Sequence, residues 1–307
     1  MLALLSMPSL PISSPVLSAA PVRVQAFARH DPALDAPLRE IAEASGFPDD
    51  LAFAAGRIDP KTRTVTYGAF QGEAGFYPAS VVKLFYMAKL EDEIAKGKIR
   101  LTPELDRAET DMIRESVNDA TGLVLETITD TAGGPELAPK ALEAWMRKRA
   151  RVNDWLTTRG FTGVNARQKT WNEGPYGRER QGYGPGMELR NVMTAVSGLQ
   201  MMTAIDLGLW HPAAQCERML GLLNRRDPKA TGNQVAGFVG EVLPKEWPLW
   251  SKAGWTSAVR HDLLVTVTPK GDRLVLAILT KGHAGDERLV GTLGKAILKS
   301  LAPDALP

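Results

Sequence analysis

Strand-forming segments stand near both ends of this chain and a long helical stretch separates them, so a sheet can be completed only by bringing the two ends together. Near the start, residues 51–58 and 64–70 read as strands, and Asp59-Pro60-Lys61 between them is a hairpin signal. Near the end, 259–268 and 273–280 are rich in Val, Leu and Ile, with Gly271-Asp272 as the turn of an antiparallel hairpin. The centre, 80–243, carries helical apolar spacing. The expected class is α/β of the α+β type: an antiparallel sheet from N- and C-terminal strands, with flanking helices and an inserted all-helical lobe. A last helix over about 284–301 would cover one sheet face with Leu289, Leu293, Ile297 and Leu301. Residues 1–35 read as a leader or flexible lead-in. Residues 36–307 read as one domain, with a sheet lobe (36–79 and 245–307) and a helical lobe (80–244).

Three groups of chemistry-bearing residues lie at the junctions of these segments. In Pro78-Ala79-Ser80-Val81-Val82-Lys83, a serine precedes a lysine by three residues at the head of an apolar run, with Val81, Leu84, Phe85 and Ala88 on one face. A serine hydroxyl needs a proton acceptor to attack a carbonyl, and a lysine serves only when neutral, a state favoured by burial and by a second cation nearby. Unpaired N–H groups at the helix start could stabilise an oxyanion. On its own the pair is also what a capping serine and a solvated lysine look like. Next, Thr102-Pro103 opens a second helix with Leu105, Ala108 and Met112 on its buried face. Ser116 and Asn118 then fall on the short connection to a third amphipathic run. Finally Lys252-Ala253-Gly254-Trp255 precedes the C-terminal hairpin; Lys252 would lie on a strand, and Gly254 would let a substrate backbone approach closely. The competing role for Lys252 is a charge that guards a sheet edge.

Taken in order, these elements resemble the Ser-x-x-Lys, Ser-x-Asn and Lys-Thr-Gly motifs of the class A beta-lactamase and penicillin-binding protein superfamily of active-site serine hydrolases. The resemblance covers roughly residues 36–301. It implies that Ser80 is the acylated nucleophile and Lys83 its proton acceptor. Ser116, helped by Lys252, would pass a proton to the leaving group; Asn118 would orient Lys83 and substrate. The Ser80 and Trp255 N–H groups would form the oxyanion hole. It further implies a glutamate on a surface loop that activates water for deacylation. That loop is 165–186, and Glu173 is the first candidate, Glu179 the second. No cofactor or metal is implied.

The sequence departs from the family pattern in three places. Gly177 stands where the loop asparagine of the family belongs, and Ala253 replaces the hydroxyl of the third motif. Thr256, Ser257 or Arg260 could supply a substitute contact to a substrate carboxylate. The interval from Ser80 to Ser116 is short, which implies a more open cleft.

Composition excludes other classes. A net charge of +2 over 307 residues gives no basic patch for nucleic acid. The run Arg147-Lys148-Arg149-Ala150-Arg151 reads as a solvated helix face, and the Met-rich run 187–207 as core. Cys216 is the one cysteine, so no internal disulfide forms; it reads as a packed small hydrophobe. Of the four histidines only His261 lies in a strand pattern. Its neighbour Asp262 points to the opposite face, which argues against a Ser-His-Asp triad. The start Met1-Leu2-Ala3-Leu4-Leu5 with Pro8, Pro11 and Pro15 is an ambiguous signal peptide ending near Ala20. An extracytoplasmic location is expected by resemblance, with a small-molecule or peptidoglycan-like acyl substrate as partner and no stable membrane insertion. The expected function is hydrolysis of a beta-lactam or related amide through an acyl-enzyme on Ser80. A D-Ala-D-Ala peptidase or esterase with the same site, or a non-catalytic binding module on the same fold, stand as alternatives.

Overall fold

The computed structural model describes residues 21–228 and 232–306. Six strands form one sheet: β1 (Ala28–His30), β2 (Leu51–Asp59), β3 (Thr64–Phe70), β4 (Leu249–Trp255), β5 (Arg260–Val267) and β6 (Arg273–Thr280), in the order β1-β3-β2-β6-β5-β4. All neighbours are antiparallel except β1 with β3. The ends of the chain meet where β2 pairs with β6, Ala54 opposite Ala277. The C-terminal hairpin then extends the sheet outward to β4 at its edge.

Both sheet faces are covered, which explains why β2, β5 and β6 read as apolar runs rather than strict alternations. Phe53, Ala55, Leu264, Leu276 and Ile278 pack against the helices Asp35–Ala44 and Leu289–Leu301. Ala52, Ala54, Leu263, Val265, Val275 and Ala277 face the helical lobe. The lobe is organised on Lys83–Ala95, a helix buried on every side: Tyr86 and Met87 are as inaccessible as Leu84 and Phe85. A buried helix was expected there from its apolar face; the sheet on one side and neighbouring helices on the other bury its other faces too over residues 83–92.

The boundary drawn at residue 35 falls inside the folded unit. Residues 1–20, with the proposed leader cleavage point, lie outside the described residues. From Val24 on the chain is built in: Val24 and Phe27 are buried, Phe27 meets Trp210 edge-on at 6.0 Å, and β1 adds to β3. A three-residue strand between prolines carries too little periodicity to be read. Two other expectations shift. The Met-rich run is helical only over Ala195–Asp206, where Thr194 and Ser197 form a reciprocal cap, and the last helix begins at Leu289.

The surface loop is held from beneath. Arg149, expected on a solvated face, is fully buried; it hydrogen-bonds Glu179 and lies 4.5 Å over the Trp145 ring. Lys169 reaches Glu179 at 3.2 Å. Removing one partner of a buried ion pair strands the other charge and costs about 3–5 kcal/mol. Glu179→Ala is therefore expected to lose stability on that order in urea unfolding, and to expose the loop to limited proteolysis first.

Candidate active site

Ser80 sits in a tight 3-10 turn, Ala79–Val82, that leads directly into the helix beginning at Lys83. Residues three apart eclipse in such a turn, so Ser80 and Lys83 share one side. Ala79 opens it with φ +45°, a left-handed conformation uncommon for a residue with a side chain. Gly254 of β4 presses on the turn: a Cβ there would lie 2.8 Å from both the Ser80 and Val81 backbone nitrogens. Only glycine permits that approach.

Lys83 and Lys252 converge on one hydroxyl. The Lys83 ammonium donates to Ser116 O at 2.5 Å, Ser116 Oγ at 3.2 Å and Asn118 Oδ1 at 2.9 Å, rather than to Ser80. Lys252 Nζ donates to the same Ser116 Oγ at 3.0 Å. Ser116 is aimed by a left-handed backbone, φ +61°, between the helices Pro103–Arg114 and Asn118–Thr129. Both lysines are fully buried. Burial brings Lys83 down to about 7. It also depresses Lys252, and the nearby positive charges of Lys83 and Arg225 push the same way. Lys83, Ser116, Asn118 and Lys252 thus come together from three parts of the chain, with Ser80 on the turn that leads into Lys83.

Sequence reasoning missed the shell around Lys252. Gln234 accepts from Lys252 Nζ at 2.6 Å, and Arg225 donates to Ser251 O at 2.8 Å and Ile113 O at 3.0 Å. Burial lowers Arg225 to about 10 and raises Asp262 on β5 to about 7. Neither Gln234 nor Arg225 lies in a motif, and no local pattern marks a buried polar group whose partners are remote in sequence.

The open end of β4 carries Trp255, 39% exposed and 5.6 Å from Phe238. Thr256 N–H donates to Val259 O and Ala253 N–H to Gln234 Oε1. Strand alternation then turns the Trp255 N–H away from β5. The substitute carboxylate contacts fare less well. Arg260 is buried over Phe238, with donors on Gly237 O and Ala284 O, and Thr256 Oγ1 accepts the Ala258 and Val259 N–H groups. Ser257 stays exposed. His261 is a core residue: Nδ1 accepts the Thr280 N–H, Nε2 bonds Tyr77 O, and burial lowers it to about 4.

The loop brings Asn172, not a carboxylate, to the cluster: Asn118 Nδ2 donates to Asn172 Oδ1 at 2.7 Å. Glu173 is exposed and lines a cavity of about 440 Å³ with Asn118, Asp119, Lys169 and Asn172. Glu179 is committed to Arg149 and Lys169 beneath the loop.

A family model described as beta-lactamase enzyme family matches residues 58–301. Solved structures similar to this chain include a beta-lactamase from Chitinophaga pinensis, 15% identical with TM-score 0.64, which covers 86% of this chain and 97% of that one. A beta-lactamase from Sphaerobacter thermophilus is 20% identical with TM-score 0.62, covering 88% and 97%. The protein titled PBP-A is 16% identical with TM-score 0.62, covering 89% and 97%. At these identities the likeness establishes the fold. No curated protein matches the sequence.

Gly254→Ala would force β4 off the Ser80 turn while leaving the core untouched. Displacement of a reacting group by an ångström costs on the order of 100-fold in rate. Acylation of the variant by an activated ester is expected to fall by about that factor with an unchanged circular dichroism spectrum.

Proposed function

Because the chain belongs to the beta-lactamase enzyme family, a family of serine hydrolases acting on amide bonds, we propose that Ser80 is its nucleophile and that Lys83, Ser116 and Lys252 form its proton relay. The observation that carries this reading is the single hydroxyl of Ser116 lying 3.2 Å from one lysine nitrogen and 3.0 Å from another. Two ammonium groups sharing one acceptor in a dry site repel each other, so one of the pair is held neutral and able to take a proton.

Acylation follows from these positions. The Ser80 hydroxyl loses its proton to neutral Lys83 as Oγ attacks the amide carbonyl. The oxyanion that forms is met by the backbone N–H groups of Ser80 and Trp255. The C–N bond breaks as the departing nitrogen takes the Ser116 proton, which Lys252 replaces, while Asn118 holds Lys83 and the substrate amide in line. The product of this half-reaction is an ester on Ser80.

Deacylation needs a proton acceptor for water on the loop side. The Asn172 amide that faces the cluster cannot serve, so Glu173 one residue on is the proposed base. Glu173 is exposed while the neighbouring Asn172 takes the contact with Asn118, and this is expected to make deacylation the slower half-reaction. A beta-lactam or a related peptidoglycan-like amide is the proposed substrate. Ala253 and the committed Arg260 leave a substrate carboxylate without the usual hydroxyl contact, each unpaired group costing about 1–3 kcal/mol of binding. Family members are usually extracytoplasmic, and among the described residues no helix is long and apolar enough to cross a membrane. We extend the extracytoplasmic location to this protein.

Time-resolved intact-protein mass spectrometry with a penicillin and a cephalosporin tests the reading. The parent protein is expected to gain one acyl adduct that decays slowly; Ser80→Ala is expected to gain none. An adduct on the Ser80→Ala protein would exclude the assignment. Glu173→Gln should form the adduct at the parent rate and release it at least 10-fold more slowly.

The pH dependence has a definite sign. Protonated Lys83 cannot accept the serine proton, and its neutral fraction grows as pH rises through about 7. The acylation rate should climb with a midpoint near that value; a rate that falls with rising pH there would assign the proton acceptor elsewhere.

A further inference from the structure

Gln234 stands outside every motif yet makes four polar contacts in the interior beside the lysines. It is fully buried. Its Oε1 accepts from Lys252 Nζ at 2.6 Å and from the Ala253 N–H at 3.2 Å. Its Nε2 donates to Ile113 O at 2.9 Å and Arg114 O at 2.6 Å, the carbonyls that end the helix leading to Ser116. One side-chain amide therefore ties together the strand that carries Lys252 and the helix end that aims Ser116. A buried amide has two acceptor and two donor sites to satisfy, and here each side is used.

We propose that Gln234 is the positioning residue of the proton relay: it fixes Lys252 on the Ser116 hydroxyl, and its neutrality keeps that lysine from being locked as an ion pair. The geometry shows why a neutral acceptor suits the place. Lys252 is faced by Lys83 from the helix beneath, Arg225 from the segment behind β4, and Asp262 from β5; Arg225 in turn feels the charges of Arg114 and Glu115. A carboxylate in direct contact would add an opposite charge at hydrogen-bond distance and hold the ammonium form. An apolar side chain would leave Lys252 without one of its three acceptors, free to turn from Ser116.

The inference rests on the proposed roles of Ser80 and Ser116, and the test separates the two. An amide nitrogen must be protonated to leave, whereas a p-nitrophenolate leaves without a proton. Loss of the relay therefore harms the amide reaction far more than the ester reaction, while a general loosening of the site harms both alike. Acylation rates of the full chain are measured with a penicillin and with a p-nitrophenyl ester for the parent, Gln234→Met and Gln234→Glu. Gln234→Met is expected to lose at least 10-fold more rate toward the penicillin than toward the ester. Gln234→Glu, which keeps the acceptor, is expected to recover part of the penicillin rate, with the alkaline limit of its pH profile, where Lys252 loses the proton it must supply, moved upward by about one unit because the added carboxylate favours protonated Lys252. Equal losses toward both donors in Gln234→Met overturn the inference and leave the Ser80 reading standing. Should that variant fail to fold, an unmoved alkaline limit in Gln234→Glu overturns it. A parent protein inert to both donors overturns the Ser80 reading and the inference with it.

Discussion

The antiparallel pairing of β2 with β6 is the contact on which the rest of the molecule depends. It joins segments from the two ends of the chain, residue against residue from Leu51 opposite Thr280 to Ile58 opposite Arg273. Closing so long a connection costs only slowly more entropy as the connection lengthens, and burial of both faces of the joined sheet offsets it. Once the pairing exists, β5 and β4 follow outward, and β4 arrives at the edge with Gly254 against the Ser80 turn. Ser80 and Lys83 begin the inserted lobe; Lys252 ends it. The candidate site is the seam left where an inserted lobe departs from a sheet and returns to it.

That seam is electrostatically unfavourable. Lys83, Lys252 and Arg225 are buried close together, and Asp262 is the carboxylate that opposes them from β5. Taking cations out of water is expensive, and among the described residues none of the three gains a direct salt bridge in return; they are hydrogen-bonded to carbonyls, amides and a hydroxyl. A chain selected for stability alone would fill such a place with apolar side chains. The large hydrocarbon layers on both sheet faces let the molecule carry it, and the same burial lowers the affinity of both lysines for protons, with neighbouring cations adding to it at Lys252.

Much of this was legible in the sequence because the relevant signals are local. Ser80 with Lys83, and the β2–β3 and β5–β6 hairpins, are each written in a short window, and the order of the three motifs supplied the tertiary arrangement by resemblance. What escaped notice is non-local. Arg149 reads as one cation in a basic run, and only the loop folding over it makes it a buried clamp for Glu179. Gln234 and Arg225 sit among polar residues that look like any loop. Arg260, a plausible substrate contact on paper, is buried on β5 with its donors spent on the Gly237 and Ala284 carbonyls and on Glu287. The lead-in was drawn too long because β1 is three residues and takes its stability from β3 rather than from its own pattern. Asn172 was passed over for the neighbouring glutamate, since the turn that decides which of two adjacent side chains faces inward has no signature in composition.

Ser116 holds a left-handed backbone, a conformation that an L-residue adopts at roughly 1–2 kcal/mol and glycine adopts freely. Folding and chemistry therefore disagree about this position. Random drift judged by stability alone would carry it toward glycine, which relaxes the turn and deletes the hydroxyl shared by the two lysines. A serine in that conformation keeps the hydroxyl that the proposed reaction needs at the expense of the turn, and glycine there would leave the fold without that chemistry.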